Sequence, residues 1–414
     1  MTYTEAIQFL GRLQTFGARF GLQNIERLAG LMGNPQDKLR FIHVAGTNGK
    51  GSTCAMLECI FRHAGFRTGL FTSPHLVTFR ERIQINRQYI SEEEVAGLVD
   101  EVQRHLKEGS QDSPPTMFEV VTAMALRHFA ESRCDWVIWE TGLGGRLDAT
   151  NIVIPEASVI TNISLEHQEW LGDTLAEIAA EKAGIIKKAV PVLCSEEGLE
   201  ARSIIERVAR ENHAPLTWVG NEADTSLTGK HQRRNAALAA AVARQLGINQ
   251  AHISAGLATV DWPGRLQLLN LADGRRVLLD GAHNSAGIES LIGALDECFP
   301  GERPAMILGM LSDKDWAQMC RALAGRAANV FTVRANSSRA VSGEQLAAIC
   351  NEGGGAFRAV ACESLAEALN QAQEERLIVV TGSLYLVGEA LELLRPANAR
   401  APSERELNEW KTQK

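Results

Sequence analysis

The sequence lacks the features that would place the protein in a membrane, outside the cell or on nucleic acid. No apolar run among its 414 residues approaches the roughly 20 residues of a membrane span. Residues 1–5, MTYTE, have neither the basic start nor the apolar core of a signal peptide. The net charge of −8 leaves no excess of basic residues for a nucleic-acid-binding face. These absences predict a cytoplasmic protein that binds neither membranes nor nucleic acid, and we expect a monomer.

Cysteine spacing excludes two further classes of protein. None of the cysteines forms a CxxC pair, and neither His213 nor His283 stands at zinc-site spacing from them. They are scattered at positions 54, 59, 134, 194, 298, 320, 350 and 362. Reduced thiols that fill helices and strands are therefore expected, rather than disulfides or a zinc site.

Short apolar runs alternate with helical patterns from about residue 40. The predicted strands of a first series are Phe41–Ala45, Phe66–Phe71, Cys134–Trp139, Ala157–Thr161 and Val190–Cys194. The helices predicted between them are Ser52–His63, Ser91–Lys107, Phe118–Ala130 and Leu175–Ile186. This alternation predicts a mostly parallel sheet that is covered by helices on both faces.

A second series of strands begins near residue 276. Its predicted members are Arg276–Leu279, Ala305–Leu308, Val330–Val333, Arg358–Ala361 and Leu377–Val380. The sequence Trp262-Pro263-Gly264-Arg265 interrupts the pattern just before this series, so we predict two domains, residues 1–266 and 267–414. Residues Gly109–Pro115 read as a loop inside the first domain, because helical patterns resume directly after them.

A glycine-rich turn follows the first predicted strand. Residues 46–53, GTNGKGST, stand between that strand and a helix. Glycines allow successive backbone N–H groups to point at phosphate, and a helix N-terminus adds positive potential. Lys50 supplies a full charge, although the strict phosphate-loop spacing is not met because Gly51 separates Lys50 from Ser52. The segment predicts a nucleotide-binding site.

Together with the strand residues His43, Val44 and Ala45 before it, this turn closely resembles the phosphate loop of folylpolyglutamate synthase and dihydrofolate synthase, in the Mur ligase superfamily. The resemblance recurs in order along the chain, in HVAGTNGKGST (43–53), FTSPHL (71–76), TMFE (116–119), ETGLGGRLDATN (140–151), His167, EKAGI (181–185), PGR (263–265), DGAHN (280–284) and TGSLYLVG (381–388). It implies an α/β fold in which a P-loop NTPase-like domain with a mostly parallel sheet precedes a smaller Rossmann-like C-terminal domain.

The resemblance also implies the chemistry. ATP phosphorylates a pteroate or folate carboxylate, and the amine of L-glutamate then attacks the acyl phosphate, releasing ADP and phosphate. Such a reaction has to neutralise crowded phosphate charge and align two anions. Both dihydropteroate and tetrahydrofolate are implied substrates, and a bifunctional enzyme is favoured because Thr116–Glu119 and Leu147–Ala149 look complete for holding a pterin that carries no glutamate.

Two Mg²⁺ sites are implied. The resemblance assigns metal contacts to Ser52, Ser73, Glu140 and His167, and hard oxygen ligands suit Mg²⁺. The residues alone leave other roles open, since Glu140 could cap a helix and His167 could lie in a surface loop.

Lys182 is expected to carry a CO₂-derived carbamate that binds the second metal. That chemistry requires a neutral amine, so the pKa of Lys182 has to fall through desolvation or neighbouring cations. An exposed helical lysine paired with Glu177 or Glu181 is the alternative. Together with Lys50 and His167, Lys182 completes the set of candidate catalytic residues.

The remaining implied contacts divide by substrate. ATP is assigned to Thr47, Asn48, Gly49, Lys50, Gly51, Asn235, Arg265 and Asp280. The pterin or folate is assigned to Gly21, Leu22, Thr116, Met117, Phe118, Glu119, Leu147, Asp148 and Ala149, with the segment near Gly21 expected to close over the pocket. The incoming glutamate is assigned to His283, Asn284 and Ser383.

Two other functions are alternatives to a folate ligase. A Mur ligase acting on a cell-wall precursor usually carries an additional N-terminal UDP-binding domain, and the phosphate loop here begins by residue 46. A nucleotide-binding scaffold that has lost catalysis would not be expected to retain Lys50, Glu140, His167 and Lys182 together.

Overall fold

The computed structural model describes residues 1–14, 21–108, 114–352, 358–394 and 404–409. Its first sheet has the strands β1 Phe41–Ala45, β2 Thr68–Phe71, β3 Ile83–Ile85, β4 Gln88–Tyr89, β5 Trp136–Glu140, β6 Ala157–Ile160, β7 Val192–Cys194 and β8 Leu216–Trp218. Their order is β4-β3-β2-β5-β1-β6-β7-β8. All neighbours are parallel except at one edge, where β3 pairs antiparallel with both β2 and β4.

Helices cover both faces of this sheet. They are α1 Tyr3–Leu13, α2 Gln23–Leu31, α3 Lys50–His63, α4 Glu92–Glu108, α5 Met117–Glu131, α6 Gln168–Leu171, α7 Leu175–Ala183, α8 Leu199–Glu211, α9 Lys230–Gln245 and α10 Gln250–Thr259. Alternate residues of β1 face different cores: Phe41 packs with α1, α2, α4 and α5, whereas Ile42 packs with α3, α9 and α10. Burial on both faces explains why β1 and β5 are nearly all apolar, FIHVA and WVIWE.

The second sheet is built from the later part of the chain. Its strands are β9 Gln267–Asn270, β10 Arg276–Leu279, β11 Ala305–Leu308, β12 Asn329–Thr332, β13 Val360–Ala361 and β14 Leu377–Thr381, in the order β13-β12-β11-β14-β10-β9. Only the β9–β10 pair is antiparallel. The helices of this part are α11 Ser285–Cys298, α12 Trp316–Arg326, α13 Gly343–Glu352, α14 Leu365–Gln371 and α15 Leu384–Leu394.

The fold class predicted from the sequence is confirmed, and the element boundaries mostly agree within a few residues. The predicted strand Phe66–Phe71 begins later, at Thr68, and the predicted helix Leu175–Ile186 ends at Ala183. The junction predicted after residue 266 falls between β8 and β9 and remains a proposal. Of the predicted loop Gly109–Pro115, residues 109–113 lie outside the described residues.

The C-terminal segment, Glu404–Glu409, contacts both parts of the chain, and its residues Arg405 and Glu409 pair with Glu392 and Arg339 of the second part. Leu407 belongs to the same buried cluster as Leu10 and Phe79. The Tyr3 hydroxyl and the backbone N–H of Phe79 both donate to the Glu404 carboxylate, at 2.9 and 2.6 Å. The prediction that these residues belong to the second domain, 267–414, remains a proposal.

Seven of the eight cysteines are buried in the folded chain. All eight cysteines are free, and only Cys298 is exposed. Within the part of the chain that the structure describes, no helix combines the length and the hydropathy needed to cross a membrane.

Candidate active site

A cleft of about 550 Å³ lies between the two sheets. It is lined by the loops that follow the carboxyl ends of β1, β2, β5 and β6 and of β10, β11 and β14, where open parallel sheets bind ligands. All but two of the residues predicted for the site line this cleft. The exceptions are Leu22, which packs on a buried core cluster, and Asn284, which is discussed below.

The phosphate loop is braced before any ligand binds. The backbone N–H of Thr47 donates to Asn162 O at 2.7 Å, and that of Asn48 donates to Asn162 Oδ1 at 2.9 Å. Gly49 has φ +82° where α3 begins, and an added Cβ would lie 2.6 Å from Asn235 Oδ1. Lys50 Nζ donates to the carbonyls of Gly46 and Thr47, each at 3.0 Å. The loop therefore presents one flexible cation on a rigid backbone frame.

Glu140 is a buried acid at the end of β5. It is 3% exposed, and its Oε2 accepts from the backbone N–H of Ser73 at 2.9 Å. Burial raises the pKa of Glu140 to about 7, although Lys50 and the Ser73 N–H oppose that rise. Because β5 lies between β1 and β2, Glu140 stands beside the first turn of α3, which carries Ser52, and beside the loop that carries Ser73. The sequence alternative, a helix cap, is excluded by its place on a strand.

Ser52, Ser73 and Glu140 fit a hard divalent cation. A desolvated carboxylate with a raised pKa is stabilised when a cation binds, and the two serines add hydroxyl oxygens. Within the described ranges, including this cleft, no group of three or more His, Cys, Asp or Glu converges as a metal site. Protein contacts to Mg²⁺ would therefore rely on hydroxyls and one carboxylate, with phosphate oxygens as the natural complement.

His167 lies at the N-terminal end of α6 with φ +52°. Burial lowers its pKa to about 3, and the attraction of Glu166 does not offset that effect. The imidazole is therefore neutral near pH 7, the form in which histidine binds metals. Its side chain is 31% exposed, so it is neither fully buried nor the free surface histidine that the sequence alone favours.

Glu166 links the two halves of the cleft. Its Oε1 lies 3.2 Å from His283 Nε2 and 3.4 Å from Lys314 Nζ, both from the second half of the chain. Burial disfavours the charge on Glu166, but His283 and Lys314 outweigh burial and hold its pKa well below the usual range. Glu166 and Lys314 were missed from the sequence. Lys314 follows β11, so the strand-end rule could have found it.

Lys182 is buried rather than paired on the helix surface. It is 3% exposed, and its Nζ donates to Gly46 O at 2.8 Å, the same carbonyl that accepts from Lys50. Burial, and then the charge of Lys50, lower the pKa of Lys182 to about 7. The surface ion pair with Glu181 does not form, since Glu181 binds Arg146 instead. A substantial neutral fraction near pH 7 is what CO₂ capture requires.

The residues predicted to contact ATP converge from both halves. Asn235 is 6% exposed and approaches Gly49, while Arg265 lines the cleft from just before β9. Asp280 uses both carboxylate oxygens on backbone N–H groups, of Leu266 at 2.9 Å and of Ala282 at 3.0 Å. Asp280 therefore fixes the turn after β10, and a ribose hydroxyl would have to share its oxygens.

The residues predicted to contact the pterin already have structural partners. Glu119 accepts from the backbone and hydroxyl of Thr116, at 2.6 and 2.9 Å, in a capping box that starts α5. Asp148 accepts from the backbone N–H of Leu143 at 2.7 Å and caps the 3-10 helix Ala149–Ile152. These polar groups shape one wall of the cleft, and Met117, Phe118, Leu147 and Ala149 give it apolar surface.

The residues predicted to bind glutamate differ in where their side chains lie. His283 and Ser383 line the cleft, and His283 Nδ1 contacts Gly281 O at 2.7 Å. Asn284 caps α11 and exchanges two hydrogen bonds with Asn48 of the phosphate loop, at 3.0 and 3.2 Å. Asn284 therefore joins the second half of the chain to the phosphate loop.

Comparison with known proteins identifies the class. Residues 44–193 match the Mur ligase middle domain, and residues 264–384 match the Mur ligase glutamate ligase domain. These matches contain the phosphate loop and Asp280 to Ser383 respectively, so the fold and the site are those of a Mur-type, ATP-dependent ligase.

More similar relatives narrow the class to a family. The dihydrofolate synthase/folylpolyglutamate synthase of Bacillus subtilis is 35% identical, over 95% of this chain and 99% of that protein. The folylpolyglutamate synthase structure from Thermotoga maritima has a TM-score of 0.85 at 34% identity and covers 98% of this chain and 99% of that one. The structure of Escherichia coli FolC with DHPP and ADP has a TM-score of 0.85 at 30% identity, over 95% and 97%. The chain belongs to the folylpolyglutamate synthase and dihydrofolate synthase family of ATP-dependent glutamate ligases.

Proposed function

We propose that this enzyme adds L-glutamate both to dihydropteroate and to tetrahydrofolate, through an acyl phosphate. The observation that carries the proposal is the convergence of Lys50, Glu140 and Lys182 with His283 and Ser383 in one cleft between the two sheets. A hydrolase or a scaffold would have no need to bring a nucleotide loop against a second wall of this kind. A cell-wall precursor as substrate, the alternative kept from the sequence, has no observation in its favour.

The reaction would run in two displacements. A carboxylate oxygen of the pterin substrate attacks the γ-phosphorus of ATP, and ADP leaves. The amine of glutamate then attacks the acyl carbon, loses a proton and expels phosphate, which leaves the new amide. Lys50 balances charge on the transferred phosphoryl group. The phosphate loop, which is fixed by Asn162, holds that phosphoryl group in line for attack.

Mg²⁺ fits the charge of the cleft and would be held by Ser52, Ser73 and Glu140. A second ion would be held by His167 and by Lys182 as its carbamate. Bound Mg²⁺ would neutralise phosphate charge as a Lewis acid. The carbamate forms when neutral Lys182 Nζ adds to CO₂ and loses one proton, and the low pKa of Lys182 supports this step.

The other assignments follow the walls of the cleft. The apolar side chains of Met117, Phe118, Leu147 and Ala149 would hold the pterin, and Arg265 would contact phosphates. A monomer in the cytoplasm remains our expectation.

Measuring ADP release tests this function. Purified enzyme would receive ATP and Mg²⁺ with dihydropteroate or with tetrahydrofolate, each with and without L-glutamate. We expect glutamate-dependent release of ADP with both pterins, and an amide product whose mass is higher by one glutamyl residue. Release with only one pterin would contradict bifunctionality, and release with neither would contradict the proposed function.

A further inference from the structure

Arg82 is a buried cation that forms no close ion pair among the described residues, although the carboxylates of Glu81 and Glu140 stabilise its charge from further away. It ends the 3-10 helix Phe79–Arg82, is 3% exposed and lines the cleft. Burial lowers its pKa to about 10, so the guanidinium remains charged at neutral pH. Its hydrogen bonds go to His75 and Asn408, and no carboxylate of the described residues forms an ion pair with it. Since buried charges are normally paired, Arg82 calls for an anion from the cleft.

The partners of Arg82 orient it without neutralising it. Arg82 Nε donates to His75 Nδ1 at 2.9 Å, and Nη2 donates to Asn408 Oδ1 at 2.6 Å. His75 Nε2 lies 2.9 Å from the carbonyl of Glu404, so His75 is neutral with its proton on Nε2. Asn408 Nδ2 in turn donates to His75 O at 2.8 Å. The C-terminal segment thus fixes Arg82 through neutral groups alone.

Most other buried or cleft-lining arginines among the described residues form an ion pair with an acidic residue, unlike Arg82. Arg405, 4% exposed in the same segment, pairs with Glu392 at 2.6 Å and does not line the cleft. Within the cleft, Arg339 pairs with Asp313 at 3.0 Å and Arg234 with Glu197 at 3.3 Å. The other cleft arginine without an ion pair among the described residues is Arg265, for which a phosphate contact is proposed.

The charge of the substrates indicates which anion Arg82 meets. Glutamate brings two carboxylates, yet His283, Asn284 and Ser383 offer no permanent positive charge. Arg82 interacts electrostatically with Tyr385, two residues after Ser383, and with the carboxylates of Glu81 and Glu140. Arg82 therefore lies in the same cleft as the proposed glutamate residue Ser383 and near the proposed metal ligand Glu140. A planar guanidinium matches a carboxylate through two parallel hydrogen bonds.

We propose that Arg82 binds one carboxylate of the incoming glutamate, and that Asn408 of the C-terminal segment is a positioning residue that aims Arg82 into the cleft. This inference rests on the proposed ligase function. It adds a glutamate-binding residue that the sequence motifs did not identify.

Steady-state kinetics of three variants test the proposal. For Arg82→Gln we expect the KM for glutamate to rise by about 10- to 150-fold, the range for losing a charge-assisted hydrogen bond, with the KM for ATP unchanged. Asn408→Ala should raise the KM for glutamate less, at similar kcat. Arg405→Gln is the control, because it loosens the same segment without touching the cleft, and its KM for glutamate should not change.

A substrate comparison separates binding from a general loss of structure. Wild-type enzyme should prefer L-glutamate over either L-glutamine or isoglutamine, each of which lacks one carboxylate, and Arg82→Gln should lose the preference against one of them. If Arg82→Gln does not fold, Asn408→Ala should still weaken that preference. A KM for glutamate unchanged in both variants, or a rise confined to the folate KM, would overturn the proposal. If the wild-type enzyme itself releases no ADP in response to glutamate, the proposed function fails as well.

Discussion

The nucleotide wall of the cleft and the wall around Arg82 are formed by different kinds of contact. The nucleotide wall consists of loops at the carboxyl ends of adjacent parallel strands, so Lys50, Ser73 and Glu140 converge because β1, β2 and β5 are neighbours. The wall around Arg82 joins a 3-10 helix to a segment 326 residues further along the chain. The first arrangement follows from topology, whereas the second depends on tertiary docking. Single substitutions on each wall can test this contrast.

Replacing Lys50 with Ala should give the largest loss. The variant lacks the flexible cation of the phosphate loop while the backbone frame made with Asn162 remains, so we expect turnover to fall by about 10²–10³ with little change in fold. ADP release and circular dichroism measure the two effects. Lys38→Ala, an exposed lysine away from the cleft, is the control, and near-normal turnover of Lys50→Ala would contradict the assignment.

Lys182→Ala should be nearly inactive and should regain some turnover when a small carboxylic acid is added, because the acid replaces the carbamate. For the wild type, turnover should fall as the pH is lowered through about 7, since the protonated amine cannot capture CO₂. Lys187→Ala is a control, because burial lowers the pKa of Lys187 in the same direction but Lys187 lies outside the cleft. Full activity of Lys182→Ala would contradict the carbamate.

Asn284→Ala should reduce kcat/KM by about tenfold, since it removes two neutral hydrogen bonds that join the phosphate loop to the second half of the chain. It also removes the cap of α11, at a cost of about 1 kcal/mol in unfolding free energy. Asn249→Ala removes the cap of α10 alone. Equal effects of the two variants on kcat/KM would show that Asn284 acts only as a cap.

Thr116→Ala should have the smallest effect. Loss of the capping box is expected to cost about 1 kcal/mol of unfolding free energy, and a shifted α5 N-terminus should raise the KM for dihydropteroate a few-fold. Ser364→Ala, which uncaps α14 outside the cleft, should lose similar stability in urea denaturation without changing that KM. An unchanged KM in Thr116→Ala would remove Thr116 from the pterin wall.

Local patterns in the sequence predicted the parts of the molecule that local patterns determine. Buried strands such as β1 and β10 were predicted with their observed bounds, because continuous apolar runs between turns are a strong signal. The short strands β3, β4, β8 and β9, which lie at or next to the sheet edges, were missed, since two to four residues carry little pattern. Burial of Lys182 could be suspected from apolar neighbours, but the carbonyl of Gly46 that it shares with Lys50 could not.

Contacts between distant segments explain the remaining misses. Glu166 carries no motif, and its importance appears only when Lys314 and His283 approach it from the other half of the chain. Asn284 matched a family motif, yet its side chain binds the loop residue Asn48 and does not line the cleft. The docking of Asn408 against Arg82 has no counterpart in periodicity or spacing.

Isotope transfer tests the central claim, an acyl phosphate formed in this cleft, most directly. Tetrahydrofolate labelled with ¹⁸O in its carboxylates would be converted with ATP and L-glutamate, and the released phosphate would be analysed by mass spectrometry. If the carboxylate attacks the γ-phosphorus, one labelled oxygen passes into phosphate for every amide formed. Unlabelled phosphate released together with amide product would contradict the account.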